Sequence, residues 1–155
     1  MEERIQNAVE YFMQGYNCCE SVVMAFADLY GMDAKTAKAV ASGFGGGVGR
    51  MRMMCGAVSG MVILAGLHCG QNATADSRED KANCYKVVRK LLEDFRQDNG
   101  SVICAELLAM NGCKVVKNTN VPDERNAEYY KVRPCAKKVE SAARIFANFL
   151  QNGAE

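Results

Sequence analysis

The chain has 155 residues, enough for one domain with a substantial core, and we expect a single domain over 1–155. Its 19 basic and 18 acidic residues give a net charge of +1 and form no long basic stripe, so we expect no nucleic-acid partner. The N-terminal stretch is charged and amphipathic without an apolar signal core, which predicts a cytoplasmic protein.

Helical periodicity recurs along the chain and strand signals are almost absent, which predicts an all-α fold. The first helix is expected over about Glu2–Met13. Asn17 is placed to cap the second, with Glu20 completing a capping box, and this helix continues to Gly31. Asp33 can cap a third helix, which ends at a glycine-rich loop.

The fourth predicted helix, over about 53–69, is apolar on nearly every side and so belongs at the centre of the fold. Its apolar run is shorter than the roughly 20 residues that a bilayer crossing needs, so we expect no membrane partner. Gly56 and Gly60 lie four residues apart on one face, where they permit close approach by a neighbouring helix. The same features are compatible with a homodimer.

The second half of the chain contains four further segments: a charged helix over about 76–98, a helix over about 102–110, an irregular segment over 114–133 with a short helix near 124–130, and a last helix that starts at Pro134. Cys84 lies on the apolar stripe of the first of these and is predicted to be structural. We expect the irregular segment to connect helices rather than to cover a site. The prediction is a compact bundle of about six to eight helices.

The most distinctive stretch is Gly43–Gly60, GFGGGVGRMRMMCGAVSG. Its clustered glycines allow positive φ angles and close approach of the backbone to another group. Gly45, Gly46, Gly47 and Arg50 are therefore candidates for contacting a cofactor, with backbone N–H groups able to donate to it. No phosphate-loop or dinucleotide-binding motif is present, so nucleotide binding is not expected.

Four of the eight cysteines fall in the first turn of four different predicted helices: Cys18, Cys55, Cys104 and Cys135. Helix N-termini favour anions, so we hypothesise that these four converge on a site suited to thiolates or to a negatively charged metal cluster. Cys55 also follows Arg50 and Arg52 in the sequence. The helix start and the two positive charges both favour the thiolate form of Cys55.

Several common devices are disfavoured by the spacing. No Cys-x-x-Cys occurs, which argues against a thioredoxin-like site and against a zinc finger or ribbon. His68 is the single histidine and is predicted to be structural, so no Ser–His–Asp or Cys–His arrangement can be built. If the protein is an enzyme, it is expected to be an oxidoreductase.

Five features stand out along nearly the whole chain: Gly15-Tyr16-Asn17-Cys18, Ser42-Gly43-Phe44-Gly45-Gly46-Gly47, Cys55-Gly56-Ala57-x-x-Gly60, Ser101-x-x-Cys104-x-x-Leu107-Leu108, and Cys135 before the final helix. Together they resemble the C_GCAxxG_C_C family of redox-active proteins, although Met54 stands where the family pattern has glycine. The resemblance selects the same four cysteines as functional. It also implies redox activity, a small helical architecture and a bacterial or archaeal setting.

Four functions remain open from the sequence. The leading one is electron transfer, with the four cysteines as ligands of an iron–sulfur cluster and an unidentified redox partner protein. The second is metal-free thiol–disulfide chemistry, with Cys55 as the attacking thiol and one of the other three as the resolving thiol. The third is a structural zinc or metal-delivery site. The last is a helical interaction module whose cysteines only fill the core.

Overall fold

The computed structural model describes residues 1–71 and 74–153. Within these ranges the chain forms eight α-helices and no β-strand, which confirms the all-α prediction. The helices are α1 (Glu2–Met13), α2 (Cys18–Phe26), α3 (Ala34–Ala41), α4 (Gly56–Gly70), α5 (Arg78–Asn99), α6 (Cys104–Met110), α7 (Ala127–Val132) and α8 (Cys135–Asn152). Two short 3₁₀ turns, Ala27–Tyr30 and Ser42–Phe44, extend α2 and α3.

The start of α2 has the predicted cap. The side chain of Asn17 accepts a hydrogen bond from the backbone N–H of Glu20 at 2.9 Å, and the Glu20 carboxylate accepts one from the backbone N–H of Asn17 at 3.1 Å. This reciprocal pair is a capping box, and it makes Cys18 the first residue of the helix. The helix continues as a 3₁₀ turn to Tyr30 and stops at Gly31, whose φ is 72°.

The central position of the apolar helix is also confirmed. The first six residues of α4 are all buried, and the helix packs against α2, α5 and α8. Phenylalanines from four surrounding helices complete the core: Phe12, Phe26, Phe95 and Phe146. None of the helices in the described ranges is long and apolar enough to span a membrane.

Two helix starts differ from the prediction for a common reason. The central helix begins at Gly56 rather than near Met53, and the sixth begins at Cys104 rather than Val102. The residues before each helix are extended and bond to one another. The N–H of Cys55 donates to the Val102 carbonyl at 2.8 Å, and the N–H of Cys104 donates to the Met53 carbonyl at 2.6 Å. These backbone groups pair across the two segments and are unavailable to helices.

The segment before α7 is held against α1 by Arg125. Its guanidinium donates to the carbonyls of Phe12 at 2.8 Å and Tyr16 at 3.1 Å, and it lies 4.2 Å from the centre of the Phe12 ring. The cation–π contact and two hydrogen bonds satisfy a partly buried cation. They fold the irregular part of the chain back over the start of α2 and bring α7 beside α1.

Candidate functional site

The four cysteines that begin helices line one cavity of about 340 Å³. Cys18, Cys104 and Cys135 are the first residues of α2, α6 and α8, and Cys55 immediately precedes α4. Residues distant in sequence are thus brought together by the fold, as hypothesised from the helix starts. The other cysteines of the chain do not line this cavity: Cys19, Cys69, Cys84 and Cys113.

One wall of the cavity is the glycine-rich loop, which is wound in the left-handed sense. The residues Gly46, Gly47, Val48, Gly49 and Arg50 all have φ between 55° and 75°. Left-handed backbone costs a non-glycine residue about 1–2 kcal/mol, so Val48 and Arg50 store strain here. The loop compensates with internal bonds such as Gly49 N–H to the Gly43 carbonyl at 2.9 Å.

Glycine at position 47 is required by space as well as by conformation. A Cβ there would lie 2.7 Å from the Cβ of Cys104 and 2.7 Å from the Cα of Arg52. The loop therefore packs directly on the cysteine at the start of α6. Gly45, Gly46, Gly47 and Arg50, the residues singled out in the sequence as cofactor contacts, all line the cavity.

The two arginines of the loop form hydrogen bonds with groups other than Cys55. Arg50 and Arg52 donate to the Asp123 carboxylate at 2.8 and 3.3 Å, and both donate to the Val116 carbonyl at 3.2 Å. Arg52 also points Nη1 at the sulfur of Cys104, 3.9 Å away. These contacts fix the loop to the opposite wall and place one positive charge beside Cys104.

The irregular segment covers the cavity, so the expectation that it merely connects helices was wrong. Asp123 receives a third arginine, Arg133, at 2.8 Å, and Pro122 and Tyr129 line the cavity beside it. Burial alone would raise the pKa of the Asp123 carboxyl, but Arg133 and Arg50 outweigh that effect and hold the pKa below its usual value. The ionised carboxylate joins three cations into one wall.

The expectation that Cys55 is a low-pKa thiol was also wrong. Only 6% of Cys55 is exposed, and burial raises the pKa of its thiol to about 12. The N–H groups of Ala57 and Val58 act in the opposite direction but do not compensate. Desolvation outweighs the effect of the helix start here because the thiolate would lose nearly all of its contact with water.

Cys135 is the cysteine with the lowered pKa, at about 6. The largest cause is a hydrogen bond from the Cys18 thiol. Burial opposes it, and the charge of Arg133 and a hydrogen bond from Tyr129 add to it. The pKa of Cys18 is raised in return, because Cys18 holds the shared proton. The two shifts therefore favour the thiolate form at Cys135 and the thiol form at Cys18.

The cavity lining is strongly positive. Among the described residues that line it, five are cationic and one is a carboxylate: Arg50, Arg52, Arg125, Arg133, Lys138 and Asp123. A partly enclosed cavity with this excess of positive charge favours a negatively charged occupant or ionised thiols. Asp123, Arg133 and Lys138 were not singled out in the sequence. Arg133 alone had a local signal, since it stands two residues before a helix-starting cysteine.

Within the described ranges, no three His, Cys, Asp or Glu side chains are arranged to hold a single metal ion.

Comparison with protein families finds a match over residues 16–149 to the model described as "Putative redox-active protein (C_GCAxxG_C_C)". The chain belongs to this family. The match includes the glycine loop and all four cysteines of the cavity, and the family's description indicates redox activity. Searches of curated proteins and of solved structures found no match.

Cys19 and His68 have structural surroundings. Cys19 is fully buried within α2, and burial raises its pKa to about 12. His68 contacts the Tyr30 hydroxyl through Nδ1 at 3.1 Å and lies edge-on to Phe149. Neither residue reaches the four-cysteine cavity.

Proposed function

We propose that this protein transfers electrons through an iron–sulfur cluster held by four cysteines: Cys18, Cys55, Cys104 and Cys135. The observation that carries the proposal is that all four thiols line one cavity although they come from four separate parts of the chain. Thiolates are the usual ligands of such clusters, and four suffice for either common type.

The size and charge of the cavity fit such a group. Its volume of about 340 Å³ is roughly ten times the share of one water molecule in the liquid, which leaves room for a multi-atom group rather than one ion. A cluster with four thiolate ligands is an anion. The excess of arginine and lysine around the cavity would balance that charge and stabilise the ionised thiols.

When bound, the cluster would supply one-electron chemistry, and the chain's own residues would set its surroundings. Gly45, Gly46 and Gly47 bring backbone to the cavity wall without side chains, where N–H groups can donate to sulfur and tune a potential. The guanidinium of Arg50 donates hydrogen bonds to the Asp123 carboxylate and to the Val116 carbonyl at the cavity wall. It would hold the loop in place and contribute charge.

The test is an anaerobic ultraviolet–visible spectrum with elemental analysis of freshly purified protein. We expect iron, acid-labile sulfide and visible absorption, all lost in Cys104→Ser. Cys113→Ser is the matched control, because Cys113 lies outside the cavity and should leave the spectrum unchanged. A colourless protein that also fails reconstitution with iron and sulfide would contradict the proposal. Zinc without iron would instead support the structural or metal-delivery alternative.

A second candidate function, thiol–disulfide exchange, is favoured by the position of Cys18 and Cys135 in one cavity and by the pKa of Cys135, which the neighbouring Cys18 lowers to about 6. In it the Cys135 thiolate attacks a disulfide of a partner protein and releases one partner thiolate. Cys18 then attacks the sulfur of Cys135 and releases it from the second partner sulfur. The two cysteines lose two electrons and become a disulfide, and the partner disulfide gains them and becomes two thiols.

This candidate has its own test. Metal-free protein is titrated with a model disulfide and digested without reduction, and the cross-linked peptides are identified by mass spectrometry. A Cys18–Cys135 disulfide that forms before any other in the cavity would support exchange. Random pairing among the four cysteines would contradict it, whereas an iron-loaded protein resistant to the disulfide would favour the cluster.

A further inference from the structure

We propose that the segment covering the four-cysteine cavity is a docking surface for an acidic electron-transfer protein. The surface is formed by residues 114–138, here called the cover. Four exposed lysines supply its free positive charge: Lys114, Lys117, Lys131 and Lys137. The inference rests on the proposed function, because it names the kind of partner with which the cavity would exchange electrons.

Positive charge is concentrated on the cover. Its 25 residues include seven basic and three acidic side chains, which give a net charge of +4. The other 130 residues include 12 basic and 15 acidic side chains, a net charge of −3, although the whole chain has a net charge of only +1. The field of the protein therefore orients an approaching anionic protein toward the cover.

The four lysines are available to a partner. None of them forms an ion pair with any residue that the structure describes. The arginines of the cavity wall differ in this respect, because Arg50, Arg52 and Arg133 all pair with Asp123. The arginines thus hold the cover against the cavity, whereas the lysines present charge to solvent.

A contact between two parts of the cover brings two of the lysines into one region. The thiol of Cys113 donates to the carbonyl of Val132 at 3.4 Å. Lys114 follows Cys113 in the chain, and Lys131 precedes Val132. The two lysines therefore project from neighbouring points of the backbone although they are far apart in sequence.

The other two lysines lie beside the cavity wall. The carbonyl of Val116, the residue before Lys117, accepts hydrogen bonds from both arginines of the glycine loop at 3.2 Å. Lys137 lies in the first turn of α8, which begins at Cys135, and Lys138 next to it lines the cavity. The exposed charge therefore surrounds the cavity rather than a remote part of the protein.

The wall of the cavity is thin at the cover. Asn120 and Pro122 both line the cavity, and both are exposed to solvent. One layer of residues thus separates the cavity from solvent at these positions. Because the rate of electron transfer falls steeply with distance, a partner docked here would have a short route to a group held by the cysteines.

Exposed apolar side chains favour a protein as the partner. Val121 is 65% exposed between the two thin-wall residues, and Val132 is 47% exposed beside Lys131. Apolar contacts within a charged rim are typical of protein interfaces, and electron-transfer complexes are among the smallest of these. The cover also exposes the carboxylates of Glu124 and Glu128, which would repel a uniform polyanion such as nucleic acid or an anionic membrane.

The experiment titrates a fluorescently labelled plant-type ferredoxin, an acidic electron carrier, with the full-length protein and follows fluorescence anisotropy. We expect binding that weakens as the salt concentration rises from about 0.05 to about 0.3 M, because salt screens exposed charges. The double variant Lys114→Glu with Lys117→Glu should weaken binding about tenfold at the lower salt concentration.

The matched control is the double variant Lys81→Glu with Lys86→Glu, which changes the net charge by the same amount. Both lysines are exposed on α5. They lie on the part of α5 that packs near the end of α4, where Asp80 and Cys69 line a separate cavity, whereas Cys55 precedes the start of α4. The control should change the affinity for ferredoxin by less than about twofold, because distant exposed charges are screened.

Equal weakening in the two double variants would reveal an effect of net charge alone and would overturn the proposal. Absence of ferredoxin binding would also overturn it, as would tighter binding of cytochrome c, which is basic, of a DNA oligonucleotide or of phosphatidylserine vesicles. The binding assay does not require a cluster. A protein that binds ferredoxin at the cover but contains no iron would therefore contradict the proposed function and leave the docking surface, whereas an iron-loaded protein without ferredoxin binding would contradict the docking surface alone.

Discussion

Arg52 and Cys104 are joined both by side chain and by backbone. Nη1 of Arg52 donates to the sulfur of Cys104 at 3.9 Å, and the Arg52 carbonyl accepts from the N–H of Ala105 at 3.1 Å. The left-handed loop and the start of α6 therefore act as one unit. Within it, burial raises the pKa of Cys104 while Arg52 lowers it.

Replacing Arg52 with methionine keeps the bulk of the side chain and removes its charge. We expect the pKa of Cys104 to rise, and each unit of rise lowers the thiolate fraction about tenfold at neutral pH. Iodoacetamide labelling of Cys104 in metal-free protein, followed by peptide mass spectrometry, should slow accordingly. Arg96→Met is the control, because Arg96 lies on the exposed face of α5 and pairs there with Glu93. Unchanged labelling in Arg52→Met would show that the contact has no electrostatic effect.

The thiolate of Cys135 should produce a distinct pH profile in metal-free protein. Its pKa is lowered to about 6, so its alkylation rate should rise through pH 6 and level off above it, while ordinary thiols keep accelerating toward about pH 8.5. Tyr129→Phe removes one donor to the thiolate and should move the midpoint upward. Tyr85→Phe, at a residue that is 64% exposed, should not. Equal midpoints in the two variants would exclude a role for the Tyr129 hydroxyl.

Local signals in the sequence predicted the positions of the cysteines better than their pKa values. The Asn17 and Glu20 capping box fixes the start of α2 through neighbours three residues apart, so the position of Cys18 could be read from the sequence. Pro134 does the same for Cys135. The four cysteines therefore lie at or next to helix starts, as predicted. The hypothesis that they converge agrees with the cavity that they share.

The parts that were missed depend on distant residues. Asp123 accepts a hydrogen bond from Arg50, which lies 73 positions away in the sequence, and no local sequence pattern predicts that pair. The wrong expectation that Cys55 rather than Cys135 has the lowered pKa has the same origin. Both stand at helix starts, but burial raises the pKa of Cys55, whereas a hydrogen bond from the Cys18 thiol and the charge of Arg133 lower the pKa of Cys135. Helix position alone could not rank their pKa values.

Gly47→Ala tests whether the loop must touch Cys104. The new Cβ would meet the backbone of Arg52 and the side chain of Cys104 at 2.7 Å, in addition to the strain of a φ of 75°. Gly49→Ala is the matched control, since it has a positive φ of 55° but nothing within 4 Å of the new Cβ. We expect the control to lose about 1–2 kcal/mol of unfolding free energy in urea, and Gly47→Ala to lose clearly more. Equal losses would mean that the loop moves away from Cys104 without cost.

Gly60→Ala tests the distance between α2 and α4, which carry Cys18 and Cys55 at their starts. A Cβ at Gly60 would lie 2.8 Å from the Cβ of Val22, a stiff side chain on a packed helix, so the helices must separate. We expect a loss of about 1–3 kcal/mol in unfolding free energy from overpacking.

Gly66→Ala lies on the same helix with nothing within 4 Å of the new Cβ, and it should stabilise the protein by about 0.5–1 kcal/mol through helix propensity. Opposite signs for the two variants in urea unfolding would establish that Gly60 is there for close packing. If Gly60→Ala also stabilised the protein, the spacing of α2 and α4 would be adjustable. The relative position of Cys18 and Cys55 would then have to be fixed by the glycine loop and by Gly56, where a Cβ would lie 3.1 Å from the Cβ of Cys18.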